Sequence, residues 1–534
     1  MTQIAALLWA MLQTRQSFFT PYTIPAAVTD FLLHCAAILF ATTVYADGPQ
    51  ILVGLLLLPA VAILLQPRVE SKATPKFGAP IVGNEGKAKV SEETALAKEL
   101  DPLPIKPFIT TYRGAMMVIT CTSILAVDFK IFPRRFAKTE SFGTSLMDVG
   151  VGSFVFAAGL VAARQQLKEQ LQGHVPSYSG RIASSIKHAL PLFALGLARL
   201  FSVKNLDYVE HVSEYGVHWN FFFTLALLGP TTAVLLPILR RLPTLGGLTF
   251  FIACVYECCL YFVPGLKAYI ILSERKPGDW FSQNREGVFS FIGYFAIFIA
   301  GLGTGMTILQ RDPGSQAQPL EGVKAEDPLD EDDQWLADVL GSADQQNVTG
   351  QTAENEPAKT GGELAAEKKN MPHPDPLGLI WIANSGDSSV FLAKWTAIWF
   401  VLCVWAMWHY GPHLFVSRRM ANLAYIVWIC CFNSAQLLLF NLIERVFFPN
   451  VHKAKDRHTE RQRVQDATSR IMHAFNRNGL VLFLMANLLT GGINMAIPTL
   501  HLDDVTAMAV LLGYIGTLAG TALALDHFDV SIKL

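Results

Sequence analysis

The sequence predicts an all-α polytopic membrane protein, a bundle of twelve or thirteen transmembrane helices with a disordered acidic cytosolic loop. Three observations predict it. Of the 534 residues, 51% are hydrophobic and only 16% charged, where a soluble chain carries about a quarter charged residues. Mean hydropathy is +0.35. Apolar windows long enough to cross a bilayer, roughly 17–25 residues each, recur along most of the chain. The formal net charge of −1 decides nothing, because in a membrane protein the placement of charge matters more than its sum.

In chain order the windows fall near 26–45, 51–65, 110–128, 146–163, 183–201, 217–238, 247–272, 287–308, 389–409, 421–441, 478–497 and 505–524. The second is short, and the seventh contains Pro264 and Lys267. The N-terminal IAALLWAMLQ is apolar yet too short to span unaided, and it lacks the basic leader and small-residue cleavage site of a signal peptide. It reads as a thirteenth span that the chain enters partway, at about Ile4. The eight cysteines lie in or near apolar spans, where they act as small buried hydrophobes. No loop carries a Cys/His pattern at metal spacing, so no metal is expected. No basic stripe interleaved with aromatics is present, which excludes a nucleic-acid partner.

Lys and Arg divide unevenly between the two sets of alternating loops. One set (13–25, 66–109, 164–187, 239–246, 310–388, 442–477 and the C-terminus) holds 28 of the 42. The other (46–50, 129–145, 202–216, 273–286, 410–420, 498–504) holds 10. The positive-inside rule puts the first set in the cytosol, with the C-terminus. The short, chemically loaded loops 129–145, 202–216 and 273–286 then share the non-cytosolic face, where they can converge on one site.

Residues 310–388 differ in kind. They are acidic and Pro/Gly/Gln-rich, and they read as a disordered cytosolic insertion between membrane helices in 1–309 and 389–534. The run EDPLDEDDQWLADVL reads as a solvated loop, with a partner-bound helix as the alternative. The sequon at Asn347 falls in the cytosol on this topology and should be unused. The basic loop 442–477 reads as a cytosolic helix on anionic lipid, or else as a contact for a cytosolic protein.

Three loops carry residues suited to chemistry. In the hinge, Asp128 ends an apolar helix, Pro133 stops that helix from continuing, and Lys130, Arg134, Arg135, Lys138, Glu140 and Asp148 follow. A chain that only had to turn would use Gly, Pro, Ser and Asn. Asp128 and a lysine folded back towards it suit general-base work on a hydroxyl; an interfacial cap with snorkelling cations is the other reading. In YVEHVSEYGVHWNFFF, His211, Glu214, His218 and Asn220 crowd together, and on a helix His211 and Glu214 would share a face, as would Glu214 and His218. They suit the polar lining of a substrate pocket. In GDWFSQNREGVFSFIGY, Asn284 and Arg285 open a helix, either as a seat for a phosphate or headgroup or as a plain cap. Gly301, Gly303 and Gly305 suit close helix packing.

The stretches ILAVDFKIFPRRFAKTESFGTSLMDVGVGSFVF, YVEHVSEYGVHWNFFFTLALL and NREGVFSFIGYFAIFIAG closely resemble the GPI inositol acyltransferase family. The likeness runs from about residue 26 to 524, excepting 66–109 and 310–388. It implies a multi-pass acyltransferase of the endoplasmic reticulum membrane that acts in GPI-anchor biosynthesis. Such an enzyme moves a fatty acyl group from acyl-CoA, as co-substrate, to the inositol 2-hydroxyl of glucosaminyl-phosphatidylinositol, with no resident cofactor. It also implies that the aspartate and lysine of the VDF…FAKTE motif, here Asp128 and Lys138, are catalytic. Asp128 is then the general base and Lys138 its electrostatic partner or oxyanion stabiliser. Arg134, Arg135, Glu140, Asp148, His211, Glu214, His218, Asn220, Asn284 and Arg285 become candidates for holding substrate.

Direct transfer is expected, because no activated Ser or Cys stands out as an acyl carrier. Acyl-CoA is cytosolic while the charged loops count out as luminal, so the thioester needs a path through the bundle. The competing class is a lipid or solute transporter using the same charges, against which the chain offers no internal repeat. A structural scaffold would not need the Asp/Lys hinge.

Overall fold

The computed structural model describes residues 1–65, 100–171, 177–204, 214–239, 241, 244–311, 387–410, 415–454 and 456–532. Every regular element among them is helical. After α1 (Thr2–Gln16), each of the twelve apolar windows holds a helix. These are α2 (Ile24–Thr42, with a π-helical turn at Leu32–Ala36), α3 (Pro49–Leu65), α4 (Pro107–Ala126), α5 (Leu146–Leu171), α6 (Tyr178–Lys204) and α7 (Phe221–Leu239). They continue with α8 (Leu245–Phe262), followed by the short α9 (Leu266–Ile271) and α10 (Trp280–Gln283), then α11 (Arg285–Ile308), α12 (Ser388–Tyr410) and α13 (Leu423–Phe447). Two extramembrane helices, α14 (Arg457–Asp466) and α15 (Arg470–Arg477), precede α16 (Gly479–Ala496) and α17 (Asp504–His527).

Ten of these helices are long and apolar enough to cross a membrane, fewer than the twelve windows. Of the other two, α3 is only 17 residues long, and α6 carries Arg181, Lys187, Arg199 and Lys204 along its 27 residues. The acidic insertion, its sequon, the loop 66–99 and His211 lie outside the described residues.

The centre of the bundle is a glycine seam. A Cβ on Gly159 of α5 would lie 2.1 Å from the Phe298 carbonyl of α11, and one on Gly301 would lie 2.0 Å from the Phe156 carbonyl. The two backbones therefore touch, as the small residues at 301–305 led one to expect. Gly303 faces α8 instead, with Leu245 2.8 Å from its would-be Cβ.

The basic loop departs from expectation. Its second half, α15, is not laid on a lipid surface but packed between α4 and α17. Ile471, Met472, Ala474 and Phe475 are wholly buried, and a Cβ on Gly114 of α4 would lie 2.5 Å from the Met472 carbonyl. Ser469 caps it by accepting from the Met472 N–H. Five consecutive apolar-centred residues, IMHAF, are enough to bury a two-turn helix once neighbours supply both walls.

Because the spans alternate, the connecting segments collect at two ends. The hinge end holds 43–48, 127–145, 214–220, 272–284 and 415–422. The basic end holds 17–23, 100–106, 309–311, 448–470 and 528–532. Helix α4 joins them, rising about 30 Å over its 20 residues.

Candidate functional site

The hinge follows from α4 running out of helix-forming sequence at the membrane edge. Phe129 and Phe132 turn inward and are essentially fully buried. Pro133 takes an extended conformation, and a single 3-10 turn, Arg134–Phe136, follows. Arg134 Nη1 donates back to the Val127 carbonyl at 3.0 Å, and Arg135 donates to the Ala46 carbonyl at 2.9 Å while pairing with Asp47 at 2.7 Å. The hinge is thereby folded against the end of its own helix and against the α2–α3 turn.

Asp128 and Lys138, expected to pair, each bind another group. One Asp128 carboxylate oxygen accepts from Asn494 Nδ2, at the end of α16, at 2.8 Å. Lys138 Nζ lies 2.8 Å from Glu214 Oε1. That same Glu214 oxygen also receives Arg418 Nη2 at 3.0 Å, and Arg418 Nε reaches Asp148 Oδ1 at 2.8 Å. A chain of alternating charge, Lys138–Glu214–Arg418–Asp148, thus links three loops. Burial works against the Glu214 charge, but Arg418 and then Lys138 outweigh it and hold the carboxyl down at about 2.

Asp148 is the anchor of the chain rather than an open group. It is wholly buried in the first turn of α5 and accepts from the Thr139 N–H, Thr139 Oγ1 at 2.8 Å, Ser145 Oγ at 2.9 Å and Arg418. Filling the lone pairs in this way offsets the cost of burying a carboxylate. The first turn of α11 carries a second buried carboxylate, filled on one oxygen only, since Glu286 Oε2 has no hydrogen-bond partner among the described residues. Wholly buried Glu286 receives Arg275 at 2.8 Å and Arg419 at 3.4 Å. Adjacent arginines thus fasten the starts of the two seam helices.

The third loop joins through backbone contact. Val217 N–H donates to the Gln283 carbonyl at 3.0 Å, and Gly287 N–H to the Tyr215 carbonyl at 2.7 Å. Gly216 sits at φ +130°, which ends any helix there, so His218 does not share a helical face with Glu214. His218 gives its N–H to Asn284 Oδ1 at 2.8 Å and a ring nitrogen to Gln283 at 3.0 Å. Asn284 therefore holds the neighbouring loop and does not cap α11 with its side chain.

Arg285 is buried, donates to the carbonyls of Ile270, Glu274 and Ser273, and stacks over Tyr269 at 5.3 Å. Its guanidinium is engaged inside the protein rather than offered as a headgroup seat. Asn220 caps α7 by accepting from Phe223 N–H at 3.2 Å and donates to the Gly196 carbonyl at 2.8 Å. Of the sequence candidates, Arg134, Arg135, Lys138 and Glu140 are exposed and Asp128 is half-buried.

Three residues that matter here escaped the sequence reading, Arg418, Arg419 and Asn494, while Glu286 was read only as part of the helix start beside Asn284 and Arg285. A signal existed for two of them. Arg418 and Arg419 stand side by side in a loop of the face that is otherwise poor in cations.

At the basic end a cavity of about 720 Å³ is lined by Trp9, Tyr22, Glu460, Arg470, Arg477 and Asp526 among others. Nearby, wholly buried Asp30 accepts from Tyr22, His34, Ser469 and the Ile471 N–H at 2.7–3.3 Å.

A polytopic helical bundle with charged loops knit into one network at one end is the class that fold and site define. Within that class, the GWT1 family model matches residues 1–525, and the chain belongs to that family. Relatives called GPI-anchored wall transfer protein 1 are 42% identical in Gibberella zeae and 43% in Aspergillus fumigatus, each over 99% of this chain and 93% of the relative. The Saccharomyces cerevisiae protein of that name is 35% identical over 95% of this chain and 89% of its own length.

Proposed function

We propose that this protein acts in GPI-anchor biosynthesis as a membrane-bound O-acyltransferase of the endoplasmic reticulum. Its substrates are a fatty acyl-CoA and glucosaminyl-phosphatidylinositol, and its hinge end faces the lumen with the C-terminus cytosolic. Membership of the GWT1 family over residues 1–525 is the observation that carries this reading.

In the step itself, the inositol 2-hydroxyl oxygen attacks the thioester carbonyl. A C–O bond forms, the C–S bond breaks, the hydroxyl proton passes to Asp128, and the departing thiolate takes that proton. Asp128 suits the base role because it stands half-exposed at a helix end, with Asn494 orienting one carboxylate oxygen. Lys138, exposed and cationic, supplies the charge that stabilises the oxyanion. Arg134 and Arg135 are exposed cations that can meet the phosphate of the headgroup, and Glu140 is an exposed carboxylate that can meet its glucosamine ammonium. Asp148, Asn220, Asn284 and Arg285 hold the loops that present them.

The test is transfer of labelled palmitate from palmitoyl-CoA to glucosaminyl-phosphatidylinositol in microsomes, for the wild type, Asp128→Asn and Lys138→Ala at equal expression. Product from the wild type alone supports the assignment. Product surviving Asp128→Asn removes the base, and no wild-type product from folded protein removes the activity.

A further inference from the structure

Glu214 Oε1 is shared by two cations that differ in how firmly they are held. Arg418 is 3% exposed, is tied at its other edge to Asp148 at 2.8 Å, and has its carbonyl fixed by the Tyr294 hydroxyl at 3.2 Å. Lys138 is 46% exposed, reaches the same oxygen at 2.8 Å from the solvent side, and hangs on a flexible four-carbon stem. The carboxylate between them is four-fifths buried. Were Lys138 its sole partner, withdrawing the lysine would leave a desolvated charge bare, which strongly opposes withdrawal. With Arg418 in place the carboxylate keeps a charge-assisted bond throughout.

We propose that Glu214 is a resting seat for the Lys138 ammonium, and that Arg418 is the positioning residue that lets the lysine leave it for the lipid substrate. This rests on the reading of Lys138 as a substrate-facing group. The physical content is a competition. Two cations on one oxygen weaken each other's hold, and only the exposed one is free to move. Arg418 acts through Lys138 and touches no substrate itself. Glu214, one of the polar residues expected to line a pocket, gains a narrower task as the rival of the substrate's anionic groups for one ammonium.

A carbodiimide joins a lysine to a carboxylate only at ion-pair distance, so the Lys138–Glu214 cross-linked peptide, read by mass spectrometry on the full chain in detergent, reports how often the seat is filled. Wild type should give the cross-link, and saturating glucosaminyl-phosphatidylinositol should lower its yield about threefold or more. Arg418→Gln should raise the yield, because the competing cation is gone. It should also raise KM for the lipid about threefold or more, as for a lysine that the bound lipid must win from a tighter seat. Arg418→Lys should restore both.

Arg418→Gln also strips Asp148 of its cation. If that variant does not fold, Glu214→Gln decides, since it leaves Arg418 on Asp148. Emptying the seat should lower KM for the lipid about threefold, a change that a merely structural pair would not produce. A cross-link blind to substrate, a yield that falls in Arg418→Gln, or an unchanged or raised KM in Glu214→Gln overturns the seat. Lys138→Ala transferring at the wild-type rate overturns the catalytic reading instead, by a separate measurement.

Discussion

The two ends of the bundle are built from the same material and left in different states. At the basic end Asp30 is wholly buried, and its donors Tyr22, His34, Ser469 and a backbone N–H all come from inside the protein. At the hinge end Asp148 is as deeply buried and as fully bonded, but its network runs outward through Arg418 and Glu214 to a lysine in solvent. A closed network fixes helices. An open one fixes helices and also presents a group. The difference lies in where the last charge stops, not in the strength of any single bond.

Removing one carboxylate from each end should have opposite consequences. Asp128→Asn should cut acyl transfer by about 10²- to 10⁴-fold while leaving thermal stability unchanged. Asp30→Ala should leave the folded enzyme's rate within about threefold but destabilise it by about 3–5 kcal/mol, by stripping the acceptor from a buried donor set. Rates and melting temperatures on the same preparations check both. A rate loss in Asp30→Ala as large as that in Asp128→Asn would erase the distinction.

Next in size is the seam that both ends depend on. Gly301→Leu places side-chain atoms where the Phe156 carbonyl lies 2.0 Å from the would-be Cβ. It should destabilise the bundle by at least about 3 kcal/mol, seen as loss of a monodisperse peak on heating.

A pH titration separates the ends without mutation. At the basic end His452 stands 3.5 Å from Glu444 and 3.3 Å from Glu460. Burial pulls its pKa down, but hydrogen bonds to Glu444 and Glu460 outweigh that and leave it above the ordinary 6.5. A raised folded pKa contributes stability fully present below 6.5 and lost as pH rises through the folded value. The melting temperature should therefore fall between pH 6.5 and 8, and His452→Gln should flatten that slope. Glu214, held down at about 2, contributes stability present above its unfolded 4.5 and lost only as pH falls towards 2. It adds no slope in the upper range.

The smallest effect belongs to the rim. Arg135→Ala removes a pair whose members are 51% and 86% exposed, and stability should move by less than about 1 kcal/mol.

The helices were legible because a transmembrane run is local information: twenty apolar residues announce themselves whatever surrounds them. The seam was legible for a related reason, since Gly301 and Gly305 have no use in a lipid-facing helix. α15 was not, because IMHAF is apolar enough to bury only if α4 and α17 stand beside it. Asp128 and Lys138 were singled out by motif, but the groups they bind were not: Asn494 went unnoticed, and Glu214 was named a candidate without being paired to Lys138. Asn494 lies 366 residues from Asp128, and Arg418 lies 270 from Asp148. Sequence proximity suggested that the aspartate and lysine bind each other, whereas the fold brings each a better-placed neighbour. Only the arginine pair at 418–419, out of place on a cation-poor face, left a trace that could have been read.

The stitching across the acidic insertion has a practical consequence. Residues before it and after it are joined by Arg418 to Asp148, Arg419 to Glu286, Tyr112 to Asn433 at 2.6 Å, the Phe108 N–H to Glu444 at 2.7 Å, and Lys106 to Ser388 at 3.0 Å. These contacts sit at both ends of the bundle and through its middle, so the covalent link between the halves is the least of what unites them. Two separately encoded fragments, one ending near 311 and the other starting near 387, should therefore recognise each other in the bilayer and rebuild the bundle, which makes this chain a natural candidate for splitting.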